Sequence, residues 1–356
     1  MPAFSAFSIS NFGFGARTTR GYFKPALPPP PSTIEYVMLG GGAGGGGQPG
    51  IGGGGGAGGY LAGTGLPVTY DVLFNVTVGA GGAAGQSTPN LPDRAGKNGG
   101  NSILEYGNPA SPAKSSLTAY GGGGGGSARG GDNPDPAPYS TGRSGASGGG
   151  GAQRDGGGGS AIYGPQGNGG ASGCNGPLGG NGGGGGGAGA GGGKGLGPSD
   201  GPTSGYPNPQ YPAGAQGFGN GGVGGVGVKI TFDGSTRYIG GGGGGGRDLG
   251  VPSFGGRNPA PNPGYVYPSG EPHGGAESGG DGGGARGGGG GGWNPVDSKA
   301  GKGGGGFVWI RYPSTNMPLA ETSGLNSYTD NGTYKIYKWE GAGSFKWYAP
   351  GVDPNP

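Results

Sequence analysis

The sequence predicts a mainly β and irregular fold in which polyglycine helices pack as a sandwich, flanked by short antiparallel β-strands, with essentially no α-helix. Three observations carry this prediction. Glycine supplies 112 of the 356 residues and proline 34. Nine runs hold four or more consecutive glycines, at 44–47, 52–56, 121–126, 148–151, 156–159, 182–187, 240–246, 287–292 and 303–306. Between the runs stand short β-branched and aromatic segments, and no stretch of useful length shows the apolar period of a helix. Such a composition is otherwise the mark of low complexity. A collagen-like chain needs glycine at every third position, and 39–63 keeps no such period.

A glycine run can take the three-residue extended helix, rising ~3.1 Å per residue with no internal hydrogen bonds. Every N–H and C=O then points outward and needs a partner. Without a Cβ, neighbouring runs approach until each backbone bonds to the next. Net hydrogen-bond gains of about 1 kcal/mol each barely offset an ordering cost of about 1–2 kcal/mol per residue. Apolar strands are therefore expected to supply the burial that the runs lack.

In chain order, 1–31 reads as an arm. Phe4, Phe7, Phe12, Phe14, Tyr22 and Phe23 follow no period, and Pro28 to Pro31 form a stiff spacer. So many aromatics suggest an anchor buried on another subunit. The domain proper is expected over 32–312, with strands at 32–39, 68–78, 101–106, 115–120 and 307–312. A hairpin is expected at 228–239, turning through a type I′ Asp233-Gly234. Residues 313–331 read as a linker and 332–356 as a C-terminal hairpin turning at 340–343. Polar, proline-containing excursions at 127–147, 160–178, 194–220, 247–278 and 293–302 separate the runs.

Several chemistries find little support. The net charge is +3, from 21 basic and 18 acidic residues scattered singly, so no basic stripe for nucleic acid stands out. No 18-residue apolar run suggests membrane insertion, and the N-terminus lacks the pattern of a secretion signal. Cys174 and His273 are the sole residues of their types, which argues against disulfides and histidine metal sites. In "GGGKGL" (191–196) and "KAGKGG" (299–304) the lysine precedes glycine rather than Ser or Thr, so the phosphate-loop magnesium ligand is missing. Asp132/Asp135 and Glu271/Glu277 sit in Pro/Gly loops with no sign of a cleft. The expectation is a non-enzyme without cofactor or metal.

The stretches "IEYVMLGGGAGGGG" (34–47), "FNVTVGAGGAAG" (74–85), "GGNSIL" (99–104), "LTAYGGGGGG" (117–126) and "GKGGGGFVWIRY" (301–312) together resemble, in order, the glycine-rich domain of tailed-phage tail-associated proteins. The resemblance covers about four-fifths of the chain. It implies a virion structural protein, exposed on the particle as a tail fibre or adhesin, whose loops bind a host-surface receptor such as a carbohydrate. A head decoration or head fibre, or a self-assembling extracellular filament, is the alternative. The loop residues this implies are Tyr139, Arg143, Tyr206, Tyr211, Arg257, Tyr265 and Tyr267, aromatic and Arg side chains being strong contributors to binding. The arm would contact other virion proteins, and a homo-oligomer is expected. The segment "TYKIYKWEGAGSFKW" (333–347) resembles a hairpin that in related modules precedes the first strand; here it follows the domain. Two readings stay open. Tyr334, Ile336, Trp339, Phe345 and Trp347 either fold back on the chain's own 32–39 strand or add to a neighbouring copy.

Overall fold

A computed structural model describes residues 28–47, 50–86, 91–108, 111–128, 139–154, 156–174, 180–195, 221–222, 224–246, 287–292 and 300–349. Among them, helix is confined to Leu91–Arg94 and a 3₁₀ turn at Gly164–Gln166. The rest is strand, turn and extended chain.

Ten strands form two five-stranded antiparallel sheets. One is ordered β10 (Ser327–Asp330), β11 (Tyr334–Trp339), β8 (Phe307–Pro313), β1 (Thr33–Leu39) and β2 (Tyr60–Pro67). The other is ordered β5 (Ser111–Ala119), β4 (Ser102–Asn108), β3 (Phe74–Thr77), β12 (Gly343–Lys346) and β9 (Glu321–Ser323). Alternation fixes the faces. Ile34, Met38, Val308, Ile310, Tyr312, Tyr337 and Trp339 of the first sheet meet Phe74, Val76, Leu104 and Phe345 of the second, with Trp347 among them. Trp347 sets its edge on Phe74, Phe345 and Tyr312. The opposite face of the first sheet presents Val37, Leu39, Phe307, Trp309 and Ile336. These are covered by a separate pair, β6 (Val228–Ile230) and β7 (Arg237–Ile239), through Ile230, Phe232 and Ile239.

The glycine-rich segments continue the strands. β1 leads into 40–47, β3 into 79–86, β5 into 121–128 and β7 into 240–246; 50–59 leads into β2, 95–101 into β4 and 300–306 into β8. The runs bond to one another with a period of three. Gly40, Ala43 and Gly46 donate to Gly59, Gly56 and Gly53; Gly41, Gly44 and Gly47 donate to Gly100, Lys97 and Arg94; Gly42 and Gly45 donate to Gly304 and Gly301. The same run accepts from three further runs: from Gly122 and Gly125, from Gly82 and Gly85, and from Gly290. The 50–59 run behaves alike, donating to 120–128, 183–186 and 287–290 and accepting from 40–46, 150 and 243–246. A threefold extended chain presents its groups in this way, and interior runs thereby satisfy nearly every backbone group.

There is no room for side chains at most of these positions. A Cβ on Gly42, Gly45, Gly55, Gly123 or Gly185 would lie inside 3.0 Å of a neighbouring carbonyl. Where three strands pass into runs, the buried Ser102 ties them together: its hydroxyl donates to Leu39 O (2.7 Å) and accepts from Gly79 N (2.9 Å).

Three expectations are corrected, and one strand was missed. The 68–78 segment is strand only at 74–77; the chain turns at Tyr70–Asp71, because it is crossing from one sheet to the other. β2 was not expected, as Gly63 and Gly65 break its pattern, and pairing with β1 selects it. The 228–239 turn is not type I′. Gly234 has φ 85° but Asp233 is not at positive φ, and Gly234 N bonds back to Thr231 O. Finally, β11 and β12 do not form a hairpin: residues 340–342 carry the chain between the sheets. β11 joins β8 rather than the 32–39 strand, and β9 and β10 occupy the supposed linker.

Candidate functional site

The bundle has two unlike ends. At the strand end, Pro29 O accepts from Met317 N (3.1 Å) and Asn316 Nδ2 (3.1 Å). The proline spacer is thus seated against the sandwich, beside the buried Met317. Phe4, Phe7, Phe12, Phe14, Tyr22 and Phe23 lie outside the described residues. At the opposite end the runs finish at Gly47, Gly50, Gln86, Ala128, Tyr139, Gln153, Cys174, Asn181, Gly195 and Gly246, as the pairings Gly47 N–Arg94 O, Gly50 N–Ala128 O, Gln86 N–Asp93 O, Ser127 N–Tyr139 O, Gln153 N–Ile51 O, Cys174 N–Asn181 O, Gly195 N–Ser172 O and Gly246 N–Gly52 O show.

Of the loop candidates, Tyr206, Tyr211, Arg257, Tyr265 and Tyr267 lie outside the described residues. The described residues that bracket 196–220, Gly195 on one side and Gly221 with Gly222 on the other, belong to the distal end, where Gly222 N meets Gly182 O. Tyr139 is half-buried at the distal end. Arg143 is not in a loop. Its N–H donates to Gly124 O (2.8 Å) and its carbonyl accepts from Gly149 N (2.9 Å), so 140–146 is a run within the expected 127–147 excursion. The 160–178 excursion likewise contains a run at 168–174, bonded to Gly148, Gly151 and Gly184.

The C-terminal aromatics sit deep in the molecule. Trp339, Phe345 and Trp347 are each 0% exposed and Ile336 1%. Ile336 and Tyr334 belong to the outer cluster and the other three to the intersheet core.

Sequence reading missed a charged cluster that clamps β6–β7 onto the first sheet. Asp233, with 8% of its side chain exposed, accepts from Lys338 (2.6 Å) and Arg237 (2.9 Å). Burial pushes the Asp233 carboxyl up. The Lys338 hydrogen bond and charge, the Ser235 N–H and Arg237 outweigh this and hold it below the ordinary carboxylate range. Alongside, Arg311 pairs with Glu35 (2.7 Å), donates to Phe232 O (2.8 Å) and lies over the rings of Phe232 and Tyr334. Lys338 covers Trp309 at 4.2 Å. Each charged side chain has an opposite charge in contact, Lys338 and Arg237 sharing Asp233 while Arg311 takes Glu35, which marks a structural clamp. The partners are up to 276 positions apart, so no local signal could have joined them. On the other face, Tyr312 and Tyr337 share a hydroxyl hydrogen bond (3.0 Å). Burial, then Tyr337, raises Tyr312, and burial with Tyr337 and Asp330 raises Tyr328 to about 12.

Among the described residues no group of three or more His, Cys, Asp and Glu side chains could hold a metal ion, and no helix is long and apolar enough to cross a membrane. No curated protein and no solved structure matches the chain. One family model does: it describes a glycine-rich domain and matches residues 18–313, from the arm to the end of β8. The chain therefore belongs to the glycine-rich domain family.

Proposed function

We propose that this protein is a surface component of a tailed-phage virion, of the tail-fibre or adhesin type, and that it binds the host surface through its distal loops. The observation that carries this reading is the separation of ends. Pro29 of the arm meets the sandwich at Met317, while the residues bracketing the proline-containing 129–138 segment and the proline- and tyrosine-containing 196–220 segment finish at the opposite end of the bundle. A body with the proline spacer seated at one end, and with chain leaving the other end toward sequence that carries Tyr206 and Tyr211, suits a particle-bound receptor binder. Aromatic faces also suit sugars. The arm holds the protein to other virion proteins, and copies associate on the particle surface.

Two measurements test this. Gold-labelled antibody against the protein, applied to the virions that carry it, should mark tail tips; marking of heads favours a decoration protein, and the absence of label from particles refutes a virion role. The purified protein should also bind host cells and block phage adsorption. Tyr211→Ala and Tyr265→Ala should weaken that binding while leaving the melting transition in place. Loss of binding only in variants that unfold would overturn the adhesin reading.

A further inference from the structure

Four of the described asparagines are followed by glycine: Asn98, Asn168, Asn181 and Asn331. In such a pair the glycine nitrogen stands next to the asparagine side-chain carbonyl, with no side chain of its own to hinder an attack on it. Whether it attacks depends on what accepts the amide proton, on whether the carbonyl oxygen is polarised, and on access of water.

Three of the four are held back. Asn98 lies in the glycine lattice, where Gly99 N donates to Gly122 O (3.0 Å) and Asn98 Oδ1 accepts from Gly124 N (3.0 Å). Gly182 N donates to Gly246 O (3.1 Å), and Asn181 is only 3% exposed. Asn168 uses its side-chain nitrogen, the group that would have to leave, to hold Gly187 O (2.9 Å) and Ala188 O (3.3 Å).

Asn331 is placed differently. It and Gly332 are exposed in the loop that joins β10 to β11. Its Oδ1 accepts from two backbone N–H groups, those of Thr333 (3.0 Å) and Tyr334 (2.8 Å). Donors fixed in this way stabilise the negative charge that develops on a carbonyl oxygen when its carbon is attacked. The Gly332 N–H is donated to a carboxylate, Asp330 Oδ1 (3.0 Å), rather than to a carbonyl. A carboxylate within hydrogen-bond reach can take the proton. Ser314 Oγ, donating to Asp330 at 2.6 Å, the Gly332 N–H and Lys335 hold the Asp330 carboxyl below the ordinary carboxylate range, so it is ionised and able to accept. Gly332 has φ 83°, and open space lies where a Cβ would stand.

We propose that Asn331-Gly332 is a self-modification site. Gly332 N gives its proton to Asp330 and bonds to Asn331 Cγ. The Cγ–Nδ2 bond breaks, and ammonia leaves with the proton that Asp330 took. Water then opens the cyclic imide at either carbonyl, giving aspartate or isoaspartate at 331. One water is consumed and one ammonia released, with no change of oxidation state. The aspartate form sets a second carboxylate beside Asp330. The isoaspartate form adds a methylene to the backbone of the turn that sets Asp330 opposite Lys335. β10, an edge strand whose four residues are all exposed, is the element this loosens.

The test is tandem mass spectrometry of peptides from the full-length protein, aged at neutral pH in native buffer and in urea. Isoaspartate is confirmed by enzymatic methylation. In urea the four sites should convert at similar rates. In the native protein Asn98, Asn168 and Asn181 should slow by roughly tenfold or more, because they react only after local opening. Asn331 should match or exceed its rate in urea. Asp330→Asn keeps an acceptor for the Gly332 N–H but cannot take its proton. It should slow native conversion of Asn331 by roughly tenfold or more and leave the rate in urea nearly unchanged. If that variant loses its fold, the wild-type comparison decides alone. Slower conversion of Asn331 in the native protein than in urea overturns the proposal, as does an unchanged native rate in folded Asp330→Asn.

Discussion

Gly55→Ala isolates the principle that holds the bundle together. Gly55 donates to Gly290 O (2.8 Å) and accepts from Gly243 N (2.9 Å). A Cβ there would lie inside 3.0 Å of Ala43 O, Ala43 C and Gly44 O. These are backbone atoms fixed by bonds to other runs, so the 40–47 run must move away as a unit. The three bonds that join it to 50–59, from Gly40, Ala43 and Gly46, are then stretched or lost, at about 1 kcal/mol each. Alanine returns about 0.4–1 kcal/mol by restricting the unfolded chain. The net loss is about 2 kcal/mol. With a urea slope of about 3 kcal/mol/M, the midpoint should fall by about 0.7 M. Gly305→Ala is the matched control. It lies in a run, at ordinary φ, and its Cβ would find only Gly79 O, at 3.9 Å. It should be neutral or slightly stabilising. Equal midpoints for the two variants would refute the argument that close backbone approach, rather than glycine flexibility, explains the runs.

Other perturbations probe the sandwich and its clamps. Trp347→Ala removes a fully buried ring from the intersheet core and should cost about 3–5 kcal/mol, read from the same urea transition. Truncation after Pro313 keeps the whole family match but removes β9 to β12; circular dichroism should show loss of the cooperative fold, and a native-like transition would mean that the C-terminal segment is dispensable. The lowered pKa of Asp233 contributes stability that is present above the unfolded value near 3.9 and is lost as pH falls through the folded value. Asp233→Asn should therefore flatten the acid limb of stability against pH. The raised pKa values of Tyr312, Tyr328 and Tyr337 act in the other direction. Their contribution is complete below about pH 10 and is lost above it, so tyrosinate absorbance at 295 nm should rise together with unfolding, and Tyr312→Phe should delay both.

What could be read in the sequence was whatever side chains announce. β1 and β8 are runs of β-branched and aromatic residues between glycines and prolines, β4 and β5 are shorter apolar stretches beside glycine runs, and all four appear where expected within a few residues. Misreadings arose where tertiary pairing overrides local pattern. "TYKIYKWEGAGSFKWY" has the look of a hairpin, yet Trp339 and Phe345 face each other across two sheets, at 5.0 Å between rings. The glycine runs were legible as runs but silent about their neighbours, because a residue without a side chain carries no sign of what lies beside it. Arg143 illustrates the limit. Its side chain suggested a loop, while its backbone forms part of the lattice. The Asp233 clamp joins residues over 100 positions apart and left no trace in either segment.

The continuity of strand into run has a consequence for how the protein can vary. A glycine run has no features of its own to tell it where to stop sliding. If 40–47 advanced by one residue, the donors now aimed at 53–59 would point at a different neighbour, and every contact of that run would be exchanged for a wrong one. The phase is fixed from outside, by the alternating apolar residues of β1 and its partners. Each run is thus held at its root, as a bristle is held in its block. Changes in the length or composition of a distal segment leave the root, and so the phase, untouched. Such a body can exchange its tips freely, whereas a single insertion at the strand end would shift a whole run out of step.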